Sequence, residues 1–548
     1  MAAWSPAPPT GTVRSTSIRV PFGHPERPVA GAIVLIAVVG VCAPIFGWFP
    51  VIRVPALLVP LLVWACVSLR SPARREAVLE ACARWRPSPQ TLGRSAVVAA
   101  GILGWIVLTR FLSGEINGVD FTVYFDRPCF QTAQGRWLFI ETADDPRFSF
   151  QGQLVQHAYW GLPLLCAPYW ILPSPYWLLA LAVIAPVAGA VYLFRIASHI
   201  GATGVLAAAT AIAFLANDNL ARGLNYGFHP ELLYAWFIPW MFEAGLRGRW
   251  KSYLVASVAC ILVKEDAVFA LVAVAAALTL VPRSSEARRP WLIVAPVLAG
   301  VANLVVYWFV FLPMFSAGPV HLEYWSAYGS SPASVLNGLW REAGAVFSAA
   351  VTSPFWTTVL LPHLLLPLVG WRWTLGLVPV VLLYSASTSP AIRTFSVYYA
   401  VILLPFLAIG ACAGAMRLAR AWGTDRRRAE AVAAGLLVLG AVVVGSGNRG
   451  YTLRPWRAEV QAMPGIVQEL ASERRVLVQS GLYPHVGYDA RFHLLTPATL
   501  ADPASAGAAV LLAPALGAFP FTVPELLAHP DLQDRGKLHG GVLLGRVP

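Results

Sequence analysis

Charge is what this sequence has least of. Only 12% of its 548 residues are Asp, Glu, Lys or Arg, about half the usual fraction in a soluble domain. Lysine is nearly absent, occurring only at Lys251, Lys264 and Lys537, so arginine carries the net charge of +13. The basic residues sit in short segments between apolar runs. No soluble basic stripe with interleaved aromatics exists, and no nucleic acid is expected as a partner. Metal-ligand spacing is missing as well. The seven cysteines form no CxxC and no Cys/His pattern; scattered, and mostly in apolar runs (Cys42, Cys66, Cys260, Cys412), they read as small buried hydrophobes. No A-x-A site follows the first apolar run, so residues 1–28 are expected to be a disordered cytoplasmic tail and not a cleaved signal.

Hydrophobic sequence is abundant, at 57%. Apolar runs long enough to cross a bilayer recur along most of the chain. Spanning helices are expected near 29–48, 53–69, 95–112, 177–195, 203–217, 232–246, 291–315, 354–369, 374–388, 396–414 and 430–446. The expected fold is an all-α polytopic transmembrane bundle.

Charge orients it. Arg70, Arg74, Arg75, Arg84, Arg86 and Arg94 mark one cytoplasmic segment, and Arg417, Arg420, Arg426, Arg427 and Arg428 mark another. The loop after 112 is acidic and belongs outside. The basic segments 247–251 and 282–290 both belong inside, so 252–281 must cross an even number of times. It reads as a hairpin whose two legs span only roughly 20 Å each at about 1.5 Å per residue, with Lys264-Glu265-Asp266 at its outer turn. The proline-broken stretch 150–172 reads as interfacial, anchored by Tyr159, Trp160, Tyr169 and Trp170.

The expected domains are 1–28, a tail; 29–94, a helix pair plus a basic loop; 95–446, a transmembrane domain with outer loop 113–176; and 447–548, a small C-terminal extracytoplasmic α/β domain. In that domain VLVQS (476–480), AVLLAP (509–514) and GGVLLGRVP (540–548) read as strands. About 13 crossings place the amino end in the cytoplasm and the carboxyl end outside a cell membrane.

Polar groups at membrane depth are costly and mark function by default. They form clusters, all on the outer side by the charge rule: Asp120, Asp126 and Arg127; His157; His229 and Glu231 in NYGFHPE; Lys264, Glu265 and Asp266; and Arg393 in SPAIRTFSVYY. Each has a plain alternative, as a loop carboxylate, a helix-entry histidine, a neutralising pair in a turn or a snorkelling arginine. Glu141, Asp144 and Asp145 read as an ordinary polar turn. Tyr324 and Trp325 are candidates for stacking on a sugar.

VDFTVYFDRPCFQTAQG (119–135) resembles the FDxGxYDQ signature of a large prokaryotic membrane-protein family of unassigned function. A histidine-led Leu/Pro stretch, an FHPE pattern and a KED triplet follow in that family. Here they stand in order as QHAYWGLPLLCAPYW, GFHPELLY and LVKEDAVFALVA, and RTFSVYY fits a later arginine with aromatics. Thr122 replaces the usual glycine and Arg127 the usual glutamine. The family in turn resembles the GT-C glycosyltransferases.

The resemblance implies a GT-C-like bundle that moves a sugar from a polyprenyl-phosphate-linked donor, with inversion, to a cell-envelope glycan, lipid or protein acceptor. Asp120 would be the base, with Asp126 as the other catalytic carboxylate. Arg127, His157, His229, Glu231, Lys264, Glu265, Asp266 and Arg393 would hold phosphate and sugar. No cofactor is implied; a divalent metal between Asp120, Asp126 and His229 finds no ligand spacing. The rival expectation is a transporter or flippase of a lipid-linked or anionic substrate. That reading needs broken helices and a midplane site.

Overall fold

The computed structural model describes residues 52–53, 70–116, 118–140, 152–281, 290–315, 321–422, 425–446, 451–517, 520–538 and 541–546. The expected crossings at 29–48 and 53–69, the tail 1–28 and the acidic turn 141–145 lie outside the described residues, apart from Ile52–Arg53. Four helices among the described residues are long and apolar enough to span a bilayer: Pro89–Leu112, Tyr176–His199, Ile293–Phe315 and Leu404–Ala421. Two further pairs are bent, Gly204–Leu215 with Asp218–Leu224 at 44° and Ala343–Val351 with Phe355–His363 at 43°. With each bent pair taken as one span, up to six spans pass on length and composition among the described residues.

Proline resets several of the expected helix bounds. The expected continuous helix 354–369 is instead a π-turn at Phe355–Leu360, a 3-10 turn at Leu361–His363 and one α-turn at Leu366–Val369. Pro362 and Pro367 remove the N–H groups that a continuous ladder needs. The helix expected at 396–414 begins only at Leu404, with Pro405 in its first turn. In the segment 252–281 the expected break is present: helices Trp250–Ile261 and Ala267–Leu280 flank Lys264, Glu265 and Asp266. The stretch expected to be interfacial is a chain of short turns, Gln153–Val155, Leu162–Leu165 and Ala167–Trp170.

Two cysteines depart from the expected role of plain buried hydrophobes. Cys129 and Cys166 form a disulfide across 37 positions. It ties the short helix Arg127–Ala133 to the interfacial turns. Cys129→Ser is expected to lower stability by roughly 2–4 kcal/mol, read as a fall in the denaturation midpoint. An unchanged midpoint would mean that packing alone holds these turns together.

The carboxyl-terminal part contains the three expected strands and three more. An antiparallel pair, β1 (Ile52–Arg53) and β2 (Thr452–Leu453), lies apart from a five-stranded sheet. The sheet comprises β3 (Val476–Val478), β4 (Phe492–Leu494), β5 (Ala509–Leu512), β6 (Leu532–Leu538) and β7 (Gly541–Arg546), in the order β4-β3-β5-β7-β6. β3 pairs in parallel with β4 and β5, and β7 is antiparallel to β5 and β6. Val476, Val478, Ala509 and Leu511 on this sheet share one buried apolar cluster with Phe111, Phe121 and Phe125 of the helical part.

That shared core brings the backbones close. A Cβ at Gly118 would lie 2.1 Å from the Ser480 carbonyl oxygen. Gly118→Ala must push these segments apart, at an expected cost of roughly 1–3 kcal/mol. A variant that melts with the wild type would contradict this packing.

Candidate functional site

The opening motif folds as a π-helix, Val119–Asp126, followed directly by helix Arg127–Ala133. Pro128 has no N–H for the next rung, and the Arg127 N–H reaches back to the Thr122 carbonyl, a five-residue step. This geometry sends the two aspartates of the motif to different places.

Asp120 faces a cavity of about 810 Å³. Burial raises its carboxyl above the ordinary aspartate range; the Glu231 carboxylate adds to this and His229 opposes it. Asp126 is absent from the cavity lining. It is 2% exposed, and its Oδ1 accepts from the hydroxyls of Tyr169 at 2.6 Å and Tyr488 at 2.9 Å. Burial pushes its carboxyl up to about 6 despite those two hydrogen bonds. Arg127 turns the same way: its guanidinium lies 4.5 Å from the centre of the Tyr483 ring and donates to the Gly487 carbonyl at 3.3 Å. Asp126 and Arg127 therefore clasp the carboxyl-terminal part.

The remaining clusters do converge. His157 and His229 line the cavity. His157 Nδ1 meets Glu265 Oε1 at 2.8 Å, and the Ala158 N–H donates to Glu265 Oε2 at 2.9 Å. The next rung of this seam is the Gly161 N–H, which donates to the Leu262 carbonyl at 2.8 Å. His229 Nδ1 is paired with Glu231, whose other oxygen accepts from Lys264 Nζ at 2.7 Å. Asp266 accepts from the hydroxyls of Tyr234 at 2.6 Å and Tyr384 at 3.3 Å, with Lys264 3.9 Å away. Pro230 opens the 3-10 turn Pro230–Leu233 and fixes its entry, so His229 and Glu231 flank one bend.

The cations expected to face a phosphate are placed elsewhere. Lys264 is 5% exposed and occupied by Glu231, Arg127 binds the carboxyl-terminal part, and Arg393 is exposed and outside the cavity lining. A buried cation takes the nearest carboxylate, and sequence spacing does not say which one that is.

Three features of the lining were not singled out from sequence. Tyr398 stacks on His229 with ring centroids 3.5 Å apart and planes 16° from parallel. His321 stacks on His157 at 4.8 Å and 16°. Leu494, Thr496, Pro497, Ala498 and Pro520 form a wall from the carboxyl-terminal part. Tyr324, a sugar-stacking candidate, lines the cavity, whereas Trp325 does not; its indole N–H donates to the Leu383 carbonyl at 3.2 Å. Among the described residues no three His, Cys, Asp or Glu side chains converge to hold a metal.

These features define a multi-pass membrane protein with a polar, aromatic-walled cavity where helix ends meet a small sheet. The chain belongs to the family described as predicted membrane protein (DUF2079), which matches residues 117–497. No curated protein matches it in sequence. Among solved structures it is similar to ArnT from Cupriavidus metallidurans bound to undecaprenyl phosphate, at 13% identity and a TM-score of 0.48, over 84% of this chain and 99% of that one. It is also similar to the arabinofuranosyltransferase AftD from Mycobacteria, at 15% identity and a TM-score of 0.43, over 83% of this chain and 40% of that one. At these scores the likenesses assign neither an activity nor a substrate.

Proposed function

We propose that the protein transfers a sugar from a polyprenyl-phosphate-linked donor to an acceptor hydroxyl on the outer face of the cell membrane, with inversion at the anomeric carbon. The acceptor would belong to a cell-envelope glycan, lipid or protein. The observation that carries this reading is Asp120 at the wall of a cavity that also presents His157, His229 and several tyrosines. A carboxylate takes the proton of the acceptor hydroxyl as its oxygen attacks the anomeric carbon. The bond from that carbon to the phosphate oxygen breaks, and the phosphate leaves with the electron pair. Imidazole N–H groups offset the charge that develops there. Tyrosine rings suit the apolar face of a sugar, and their hydroxyls suit its edge.

Orientation belongs to the same proposal. The arginine-rich segments place the cavity outside, and the Cys129–Cys166 disulfide suits an oxidising compartment. Lys264 and Glu231 act from behind, holding His229 in register. A single in-line displacement gives one inverted product. NMR of the transferred sugar checks this, and a retained anomer overturns it.

One observation favours the transporter reading. The bent pair Gly204–Leu215 and Asp218–Leu224 carries Asp218, 3% exposed and paired with Arg222 at 2.8 Å. Broken helices with buried charge occur in transporters. Uptake or flipping of a lipid-linked sugar without release of its phosphate would select that reading.

A further inference from the structure

The cavity lining contains no Lys or Arg among the described residues, yet a leaving phosphate requires an opposite charge. We propose that His157 and His321 together form a phosphate subsite that takes up a proton when a phosphate ester enters. This deepens the glycosyl-transfer reading and rests on it for the ligand class; the site itself rests on geometry.

Both imidazoles line the cavity, with ring centroids 4.8 Å apart and planes 16° from parallel. Each ring is oriented through Nδ1: His157 by Glu265 at 2.8 Å, His321 by the Tyr324 hydroxyl at 3.1 Å. With Nδ1 of His157 engaged, Nε2 is the nitrogen left to serve a ligand. His321 has a backbone φ of +70°. A residue other than glycine rarely adopts that left-handed conformation, and such strain concentrates at ligand-binding positions.

The charge state follows from the surroundings. The groups facing the pair are Tyr159 from the interfacial turns, His229 and Glu231 from the 229–233 bend, Lys264 and Glu265 from the hairpin turn, and Tyr324. Burial holds the His157 imidazole well below its ordinary value; Lys264 and His229 add to this, and Glu231 opposes it. Without an anion beside it the His157 imidazole is therefore neutral at pH 7. A phosphate oxygen beside it supplies the missing counter-charge, so the bound state favours imidazolium. Binding then consumes a proton, and affinity rises as pH falls. When the sugar bond breaks, the phosphate gains charge and the same imidazolium holds it more strongly, as a transition-state interaction should.

The test is calorimetric binding of polyprenyl phosphate to the full chain in lipid nanodiscs at pH 6 and pH 8, in two buffers of different ionisation heat. The wild type is expected to bind at least about tenfold tighter at pH 6 and to take up protons, as linkage requires. His321→Phe keeps the ring stack and loses the charge; it is expected to bind about tenfold more weakly at pH 6, through loss of one charge-assisted hydrogen bond. His321→Lys carries a cation at both pH values and is expected to hold its affinity at pH 8. Inorganic phosphate in a parallel arm separates a lipid-borne phosphate from a soluble one; because a phosphate's own second ionisation, at a pKa of about 6, also links binding to protons, it is linkage that His321→Phe removes, with either probe, that supports the subsite. Affinity without pH dependence, wild-type binding by His321→Phe, or no binding of either probe overturns it. A wild type that binds with proton uptake, yet releases polyprenyl phosphate from no donor, overturns the transfer reading and leaves the subsite standing.

Discussion

Asp120→Asn is expected to lower the release of polyprenyl phosphate from a sugar donor by about 100- to 10,000-fold, the range associated with loss of a general base. The substitution is nearly isosteric, so the denaturation midpoint should stay where it was. The wild-type pH profile carries a second signature. Because burial raises the Asp120 carboxyl, its ionised, proton-accepting form is lost at a higher pH than for an exposed aspartate. The acid limb of kcat/KM should therefore lie above 3.8, the ordinary aspartate value, and should vanish in the Asn variant. Asp126→Asn provides the contrast. That carboxyl sits between Tyr169 and Tyr488, away from the cavity, so its loss should affect stability more than turnover. An Asp126→Asn enzyme that is folded and inactive, beside an active Asp120→Asn enzyme, would exchange the roles proposed for the two carboxylates.

Glu231→Gln is the second large effect expected, and it concerns the fold. Glu231 bridges His229 and Lys264, and the Glu231 and Lys264 side chains are nearly fully buried. Removing one charge strands the other in a medium that solvates it poorly, at a cost of about 3–5 kcal/mol. Asp266 at 3.9 Å is too distant to replace the 2.7 Å partner fully. The double variant Glu231→Gln, Lys264→Met removes both charges and should recover most of the stability, because a buried pair is worth little more than apolar residues of the same volume. It should not recover activity, since His229 loses its electrostatic support. A single variant as stable as the wild type would mean that water reaches Lys264.

The motifs in the sequence name part of this cavity, Asp120, His157 and His229 in its lining, and the charged groups behind it. His157, His229, Glu231, Lys264 and Glu265 stand in separate segments, and cost at membrane depth was enough to single them out. The break at 262–266 was legible because two basic segments demanded an even number of crossings between them. Other features were hidden for physical reasons. Asp126 and Tyr488 are 362 positions apart, and neither periodicity nor spacing reports a contact of that range. His321 is a single histidine without a motif, and its place beside His157 depends on a left-handed turn. The wall at 494–498 carries no ionisable side chain, so nothing in its composition points to a site. Helix bounds were misplaced where Pro362, Pro367 and Pro405 cut apolar runs that hydropathy alone reads as continuous.

The measurement that tests the central claim most directly is release of polyprenyl phosphate by the purified wild-type chain in lipid vesicles, across a panel of polyprenyl-phosphate sugars and envelope acceptors. The account predicts release with at least one donor, dependent on an acceptor hydroxyl and abolished by Asp120→Asn. Release that is equal in the wild type and in Asp120→Asn, or no release from any donor while the intact lipid-linked sugar crosses the vesicle membrane, would contradict it.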